Sequence, residues 1–360
     1  MIYYQCVDYK EYFVPFAQDV DKFLRDFFAR KKEEASKISP VAFVVWKNLE
    51  KFIKGGKRLR AGLVKLGFET YGGRNFKSIL PVAAAYELTH GSILVHDDII
   101  DQDTLRHNKP TIHKVYEKFH RKNYKKGESV RYGESMAICV GDAGLYEAIS
   151  LIAESNFRSH LKIGAIERLT QTMSNTVYGE ALDVDLGCRD KIAEKLVNSI
   201  NTLKTSYYTF VGPLKIGAIL AGAGQNRLGV LEEYGLPLGL AFQIQDDILG
   251  MFGDVKKFGK SIDSDIRQGK NTLLFTQSLK RATPAQKRLL KRYWGKSDIT
   301  KKEAGLVRKI IIDSGSLDYS KRASLDFIEE AKGVVDRITQ DPGLGEVYSS
   351  LADYIAKRER

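Results

Sequence analysis

Residues 79–100 form a long apolar segment that ends in a cluster of carboxylates. Apolar side chains recur along it at helical spacing, and Pro81 lies near its start, where a helix tolerates proline. Residues four apart on a helix share a face, so Asp97 and Asp101 project together with Asp98 beside them. Like charges crowded in this way destabilise a helix unless a cation or a basic partner compensates them. The segment predicts a helix whose acidic face lines a cation-binding cavity, with an exposed acidic helix end as the alternative.

Residues 228–252 form a second apolar segment with a second pair of aspartates. Gln243, Asp246 and Asp247 fall at positions i, i+3 and i+4, again on one helix face. Carboxylate oxygens suit Mg²⁺, which usually keeps several waters and takes one or two carboxylates together with substrate phosphates. Two such pairs on separate apolar helices predict carboxylates on opposite sides of one cavity, with several metal ions between them.

Most of the chain follows the helical pattern, and strand signals are scarce, since there is no Asn-Gly pair and no sustained alternation of apolar and polar residues. Further helices are predicted at residues 14–35, 39–53, 163–178, 191–208, 284–294 and 324–338, and the segment 228–252 is expected to break at Gly235 and Pro237. Polar residues 120–133 and 253–271 are typical of loops. The predicted fold class is all-α, in one domain.

Composition narrows the function classes. The 360 residues carry a net charge of +12, which fits phosphorylated substrates, polyanions or an acidic membrane surface, or is a solvated lysine-rich surface. No base-reading motif occurs, so nucleic-acid binding is not expected. Three cysteines far apart favour neither disulfides nor zinc and predict a reducing cytoplasm. No apolar run approaches the roughly 20 residues of a membrane helix, so no transmembrane segment is expected.

Basic residues near the aspartates suggest that phosphate groups bind there. Gly55 and Gly56 precede a predicted helix that opens with Lys57 and Arg60. Exposed backbone N–H groups, a helix N-terminus and clustered cations together make an anion site, although a basic surface patch is an equally good explanation. Further cations that could serve the two clusters are Arg106, Lys204, Lys260 and Lys270.

These motifs resemble those of the trans-isoprenyl diphosphate synthase (polyprenyl synthetase) family, in particular geranylgeranyl diphosphate synthases. Asp97 to Asp101 resembles the first aspartate-rich motif, DDxxD, and Phe242 to Asp247 the second. The remaining matches, in family order, are Gly56-Lys57-x-x-Arg60, His90, Gly141-Asp142, Gly179-Glu180-Ala181-Leu182-Asp183, Lys204-Thr205 and Gly259-Lys260…Asp265…Gly269-Lys270. The resemblance implies a single isoprenoid synthase domain over residues 1–360, built as a bundle of long antiparallel helices around a central cavity. The motif-bearing core would span about residues 50–275, followed by C-terminal helices over 276–360.

The resemblance implies an enzyme that condenses isopentenyl diphosphate with an allylic prenyl diphosphate to a trans polyprenyl diphosphate, and a homodimer. Three Mg²⁺ ions would be held by Asp97, Asp98, Asp101, Asp246 and Asp247. Isopentenyl diphosphate would be bound by Gly56, Lys57, Arg60, His90 and His107. The allylic diphosphate would be bound by Arg106, Lys204, Thr205, Gln243, Lys260 and Lys270. The catalytic set would be Asp97, Asp98, Asp101, Lys204, Thr205, Gln243 and Asp246, with Thr205 and Gln243 steadying the carbocation.

Product length depends on where the prenyl tail meets a bulky floor. Short-product members of the family carry aromatics at the positions of Ser92 and Ile93, so a farnesyl-length floor is missing. The next bulky residue on about that face is Tyr86, about 9 Å further at 1.5 Å per residue. This predicts a product of about C20 to C25, with geranylgeranyl favoured, unless Tyr86 is an ordinary core residue.

Four positions depart from the family pattern. His107 stands where the family has an arginine, Asn108 and Gly250 where it has glycine and a third aspartate, and Glu180 where it has glutamine. Three rival interpretations are a class I terpene cyclase, a metal-dependent phosphohydrolase with a His-Asp dyad, and a catalytically weak partner subunit. The isopentenyl diphosphate residues count against the first, and the second Asp-Asp motif counts against the second.

Overall fold

The computed structural model describes residues 8–189, 193–253 and 263–358, and these are almost entirely helical. The helices are α1 (Tyr9–Ser36), α2 (Pro40–Ile53), α3 (Leu59–Thr70), α4 (Phe76–Ile100), α5 (Ile112–Asn123), α6 (Ser129–Glu154), α7 (Ser159–Leu186), α8 (Glu194–Asn201), α9 (Gly212–Leu220), α10 (Gln225–Phe252), α11 (Ser264–Gln268), α12 (Leu273–Arg281), α13 (Pro284–Tyr293), α14 (Lys301–Asp313), α15 (Ser316–Lys332), α16 (Val335–Ile338) and α17 (Pro342–Ala356). A π-helical segment, Thr202–Val211, joins α8 to α9. The strands β1 (Leu105–Arg106) and β2 (Lys109–Pro110) form one antiparallel pair.

The chain divides into two compact units. The N-terminal unit comprises Lys10–Arg168 and Pro213–Gly224, and the C-terminal unit comprises Leu169–Gly212 and Gln225–Arg360 together with Met1–Tyr9. Each unit carries one of the two aspartate clusters. The single domain over residues 1–360 stays a prediction.

In the N-terminal unit, α4 is a central helix that packs against α3, α5 and α6. The Asn75 side chain caps its N-terminus by accepting a hydrogen bond from Ser78 N. Its contact with α6 is close because α6 presents glycines: a Cβ on Gly144 would lie 2.0 Å from Ser92 Oγ, and one on Gly141 would lie 2.3 Å from His96 Nε2. This packing fixes the helix that carries the first aspartate cluster.

In the C-terminal unit, α10 runs unbroken over 28 residues. The predicted break at Gly235 and Pro237 is wrong, because the tertiary packing of α10 outweighs the hydrogen bond that proline removes. Gly235 lets the helix approach the π-helical segment closely, since a Cβ there would lie 2.7 Å from Val211 Cγ2. The second aspartate cluster therefore rests on one continuous helix.

Two other sequence expectations need correction. The predicted loop 120–133 shrinks to a short connection, because α5 continues to Asn123 and α6 begins at Ser129. The predicted helix 191–208 becomes α8 followed by the π-helical segment. Residues 254–262 of the predicted loop 253–271 lie outside the described residues, and the described part of the loop contains the short helix α11.

By length and composition alone, α4 and α6 are long and apolar enough to cross a membrane. Neither helix contains an uninterrupted apolar run of about 20 residues, because both carry polar residues, and no transmembrane segment was predicted from the sequence for that reason. Core helices of globular proteins meet the same criterion, and 67% of the most apolar window of α4 is buried inside the protein. The corresponding share for α6 is 39%, so α6 leaves more of its apolar surface exposed.

Candidate active site

The first aspartate cluster lies at the C-terminal end of α4 and is paired with an arginine of the same unit. Asp101 is the C-cap residue, and its backbone N–H donates to Asp97 O at 2.8 Å. Arg106 Nε donates to Asp98 Oδ1 at 2.6 Å, and Arg106 Nη2 donates to Asp97 Oδ2 at 2.9 Å. Asp103 lies 3.9 Å from the same guanidinium. The compensating cation that the crowded carboxylates require is thus present in the chain.

Asp98 is the most buried carboxylate of the cluster, with 0% of its surface exposed. Burial raises its pKa to about 6, although the Arg106 guanidinium acts in the opposite direction. Its second oxygen, Oδ2, is buried and has no hydrogen-bond partner among the described residues. A buried carboxylate oxygen with a spare lone pair is a ready acceptor for a cation.

A two-residue turn positions Arg106 beside the aspartates at the end of α4. His107 and Asn108 connect β1 to β2, with φ values of +50° and +58°. Positive φ at both central positions is the combination of type I′ turns, which match the twist of a hairpin. This hairpin was not predicted from the sequence, because its turn is His-Asn instead of the usual Asn-Gly. His107 itself is exposed.

The glycine-rich turn before α3 is held by a buried arginine. Gly55 and Gly56 have φ values of +92° and +103°, which only glycine adopts easily. Arg58 is 6% exposed and pairs with Asp21 at 2.6 Å and with buried Glu87 at 3.4 Å. No role was predicted for Arg58 from the sequence. Its ion pairs hold the turn that presents the neighbouring cations.

Arg60 and His90, both predicted to bind isopentenyl diphosphate, lie together. Arg60 Nη1 is 3.2 Å from His90 Nε2. Burial lowers the pKa of His90 well below its ordinary value, and the positive charge of Arg60 lowers it further. His90 is therefore neutral and accepts at Nε2, since a guanidinium only donates. Lys57 lies on the exposed turn three residues before Arg60.

In the C-terminal unit, three predicted site residues form one hydrogen-bond chain. Thr205 Oγ1 donates to Gln243 Oε1 at 2.7 Å, and Gln243 Nε2 donates to Asp247 Oδ1 at 2.9 Å. Burial and then the neighbouring Asp265 raise the pKa of Asp247 well above its ordinary value. Lys270 acts in the opposite direction on the same carboxyl group. These hydrogen bonds fix the amide oxygen of Gln243 and the hydroxyl of Thr205 in place.

Asp246 has a partner that the sequence analysis did not find. Arg358, near the C-terminus, donates from Nη1 to Asp246 Oδ1 at 2.6 Å. Its guanidinium carbon lies 4.3 Å from the centre of the Phe242 ring. Both aspartate clusters thus carry an arginine counter-ion, Arg106 for the first and Arg358 for the second.

Lys204 lies in the π-helical segment and contacts two carboxylates. Its Nζ is 2.5 Å from Glu180 Oε2 and 3.1 Å from Asp183 Oδ2. Glu180 is one of the departures from the family pattern, so this lysine has one more ionic partner than a glutamine would give it. Of the two other lysines predicted to bind the allylic diphosphate, Lys260 lies outside the described residues, and Lys270 follows α11 and acts on the Asp247 carboxyl group.

No group of three or more Asp, Glu, His or Cys side chains in the described residues is arranged as a complete metal site. Magnesium does not need one, because substrate phosphates and waters supply most of its ligands. The donors present are carboxylates, and the open Asp98 Oδ2 is suited to a hard cation. The residues therefore fit Mg²⁺.

The predicted chain-length residues divide between two faces of α4. Ser92 lies against α6 at Gly144, and its buried Oγ has no hydrogen-bond partner among the described residues. Tyr86 and Ile93 are seven residues apart and share a face with Asp97. Tyr86 is 1% exposed. Ser92 therefore does not lie on the same face as the other two floor residues.

Comparison with known proteins identifies the relatives of this chain. A family model described as polyprenyl synthetase matches residues 44–311. The geranylgeranyl diphosphate synthase of Methanosarcina mazei is 31% identical over 85% of this chain and 86% of its own length. The geranylfarnesyl diphosphate synthase of Aeropyrum pernix is 31% identical over 94% of this chain and 99% of its own.

Solved structures agree. The crystal structure of geranylgeranyl pyrophosphate synthase from Corynebacterium glutamicum, complexed with isoprenyl diphosphate and magnesium, has a TM-score of 0.90 and 28% identity. The match covers 95% of this chain and 98% of the Corynebacterium glutamicum chain. The expected all-α fold is confirmed, and the chain belongs to the polyprenyl synthetase family.

Proposed function

We propose that this enzyme condenses isopentenyl diphosphate with an allylic prenyl diphosphate, giving a trans polyprenyl diphosphate of about C20 to C25, with geranylgeranyl favoured. The observation that carries the proposal is the pairing of Asp97 and Asp98 with Arg106. This arrangement keeps a carboxylate cluster ready for cations and an arginine ready for an anion in one place. Two relatives that cover most of the chain are named for C20 and C25 products.

The metal ligands proposed are Asp97, Asp98, Asp101, Asp246 and Asp247, with three Mg²⁺ ions. When bound, these ions neutralise the negative charge that develops on the departing diphosphate. A metal ion held by Asp97 and Asp98 would compete with Arg106 for these carboxylates and would leave the Arg106 guanidinium available to the diphosphate oxygens. A metal ion held by Asp246 would displace Arg358 in the same way.

The remaining polar residues bind the two diphosphates, orient one another and stabilise the allylic cation. Arg106, Lys204, Lys260 and Lys270 bind the allylic diphosphate, and fixed cations of this kind stabilise the leaving group without reorganisation. Gly56, Lys57, Arg60, His90 and His107 bind isopentenyl diphosphate. Neutral His90 accepts from Arg60 and so orients its guanidinium. The oxygens of Thr205 and Gln243 face the allylic cation; Thr205 is held by its hydrogen bond to Gln243, and Gln243 by its hydrogen bond to Asp247. The condensed carbocation loses a proton to the departing pyrophosphate, which restores an alkene.

Incubation with Mg²⁺, farnesyl diphosphate and labelled isopentenyl diphosphate tests this function. We expect label to enter an acid-labile prenyl product, and a chelator to abolish its formation. A terpene cyclase would give a hydrocarbon without isopentenyl diphosphate, and a phosphohydrolase would give farnesol. A partner subunit would give no product alone, and each of these three results would contradict the proposal.

Tyr86→Ala should lengthen the product. Tyr86 is buried on the helix face of Asp97, and removing its ring deepens the space below the allylic diphosphate. We expect products longer than those of the unaltered enzyme by one or two isoprene units, measured by chromatography of the dephosphorylated prenols. Tyr234→Ala is the matched control, since Tyr234 is a fully buried tyrosine of the C-terminal unit and should not change the length. An unchanged product from Tyr86→Ala would make Tyr86 an ordinary core residue.

We propose that the enzyme is a cytoplasmic homodimer that pairs through α6. This helix is apolar, yet less than half of its most apolar window is buried, and Tyr146 is 73% exposed and Ile138 42% exposed. Apolar surface of this kind marks an interface. Tyr146→Glu should give a monomer in light scattering, whereas Val177→Glu, at an exposed position of α7, should not. A Tyr146→Glu variant that keeps the mass of a dimer would exclude this face.

A further inference from the structure

A basic and aromatic surface at the end of α5 is not used by the proposed reaction. This surface, the α5 tip, consists of Lys118, Phe119, Lys122, Tyr124, Lys125 and Lys126, all of them exposed. Residues 114–131 contain seven lysines or arginines and two glutamates, so this stretch supplies five of the twelve net positive charges of the chain.

The four lysines of the α5 tip have no ion-pair partner among the residues that the structure describes. Of the two acids in residues 114–131, Glu117 is already paired, with Lys114 at 2.8 Å and with Arg121 at 2.5 Å, and Glu128 forms no ion pair with these lysines among the described residues. The tip therefore presents uncompensated positive charge to the solvent.

Two aromatic rings lie among these charges. Phe119 is 45% exposed and Tyr124 is 47% exposed, and their ring centroids are 5.8 Å apart. The rings contact each other and yet leave nearly half of each residue's surface open to solvent beside the lysines. Aromatic rings flanked by lysines are typical of helices that lie at the headgroup level of a membrane.

The backbone of the α5 tip is held in place. Buried His120 donates from Nε2 to the carbonyl oxygen of Lys126 at 2.9 Å, which closes the turn after α5. The His120 ring packs against Tyr124 and Tyr132, with centroid distances of 5.5 and 5.0 Å. Gly127, with φ of +86°, completes the turn. A surface that is already ordered loses little conformational entropy when it binds.

We propose that the α5 tip binds the anionic surface of a lipid bilayer. Charge complementarity favours negatively charged headgroups, and it disfavours a second copy of the same tip, because the two would repel each other. The rings of Phe119 and Tyr124 enter the interface while the lysines contact headgroups. The reason for such docking rests on the proposed function, since a prenyl product of about C20 partitions into a membrane.

Vesicle sedimentation with the full chain tests this binding. We expect the protein to sediment with vesicles of phosphatidylcholine and phosphatidylglycerol but not with phosphatidylcholine alone, and to be released by salt. A cation near an anionic membrane contributes about fivefold in affinity. Replacing Lys118, Lys122, Lys125 and Lys126 by glutamine should therefore weaken binding by at least about 100-fold. Phe119→Ser, which removes no charge, should weaken it by about fivefold or more.

The matched control removes four charges elsewhere, from Arg288, Lys291, Lys301 and Lys302, which are exposed on α13 and α14. We expect this variant to bind within about threefold of the unaltered protein, because these cations lie outside the α5 tip. Equal loss in both quadruple variants would mean non-specific charge attraction and would overturn the proposal. Absence of vesicle binding would also overturn the proposal. So would release of the protein from vesicles by RNA, if Phe119→Ser does not weaken vesicle binding.

Prenyl transfer without vesicles is measured on the same variants. All of them should keep their activity, which also shows that they are folded. Activity without vesicle binding refutes only the proposed membrane binding. Vesicle binding without activity refutes the proposed function but not the membrane binding of the α5 tip.

Discussion

Asp97→Asn should lower the rate of prenyl transfer by at least about 100-fold and remove most of its response to Mg²⁺. The substitution keeps the shape of the side chain but removes one of the charges proposed to hold metal ions. The Asp97 carboxylate is partly exposed and is paired with Arg106, so an amide there can still accept the arginine hydrogen bond. Steady-state rates across a Mg²⁺ titration measure the effect.

Asp313→Asn is the control for this prediction. Asp313 lies at the end of α14, its side chain is 38% exposed, and it is paired with Lys309 at 2.9 Å. Its replacement should change the rate by less than about threefold, since it removes a charge outside the proposed metal ligands. A small effect of Asp97→Asn, with the Mg²⁺ response retained, would exclude Asp97 as a metal ligand.

Arg106→Met should destabilise the metal-free enzyme and spare the metal-bound one. Removing one partner of a buried ion pair costs about 3–5 kcal/mol, because the other charge is left buried and unpaired. Asp98 is fully buried beside Arg106, and its pKa is already raised to about 6. It can therefore take up a proton when the arginine is lost, and we expect the cost at neutral pH to lie at the lower end of that range. Urea unfolding with and without Mg²⁺ and pyrophosphate measures this loss in the free energy of unfolding.

Two comparisons complete the Arg106 experiment. In Arg106→Met combined with Asp98→Asn, the metal-free stability should largely return, because the fully buried charge is gone and the remaining partner, Asp97, is partly exposed to water. With Mg²⁺ and pyrophosphate bound to the single variant, the loss should also shrink, because metal replaces the arginine at the carboxylates. An equal loss of stability with and without metal would mean that Arg106 is not a counter-ion that metal displaces.

Local sequence patterns predicted the helices that carry the site. Helical periodicity located α4 and α10, and the i, i+4 rule placed Asp97 and Asp101 on one side of α4. It did not predict the continuity of α10 through Pro237, because the packing of Gly235 against the π-helical segment is a tertiary effect. Propensity is a weak prior when a helix is buried on several sides.

Contacts between distant positions could not be predicted. Arg358 and Asp246 are 112 residues apart, and no pattern in the sequence links them. The same holds for Arg58, which looks like one more cation of a basic motif until its ion pairs with Asp21 and Glu87 are known. The His107-Asn108 turn lacked its usual glycine, so backbone conformation alone identifies it.

The mass of the product decides whether this enzyme carries out the proposed prenyl transfer. The purified full-length enzyme is supplied with farnesyl diphosphate, excess isopentenyl diphosphate and Mg²⁺, and the prenyl diphosphates formed are identified by mass spectrometry. We predict geranylgeranyl diphosphate as the main product, with C25 as the upper limit. Recovery of unchanged farnesyl diphosphate, or of a cyclic hydrocarbon, would contradict the account.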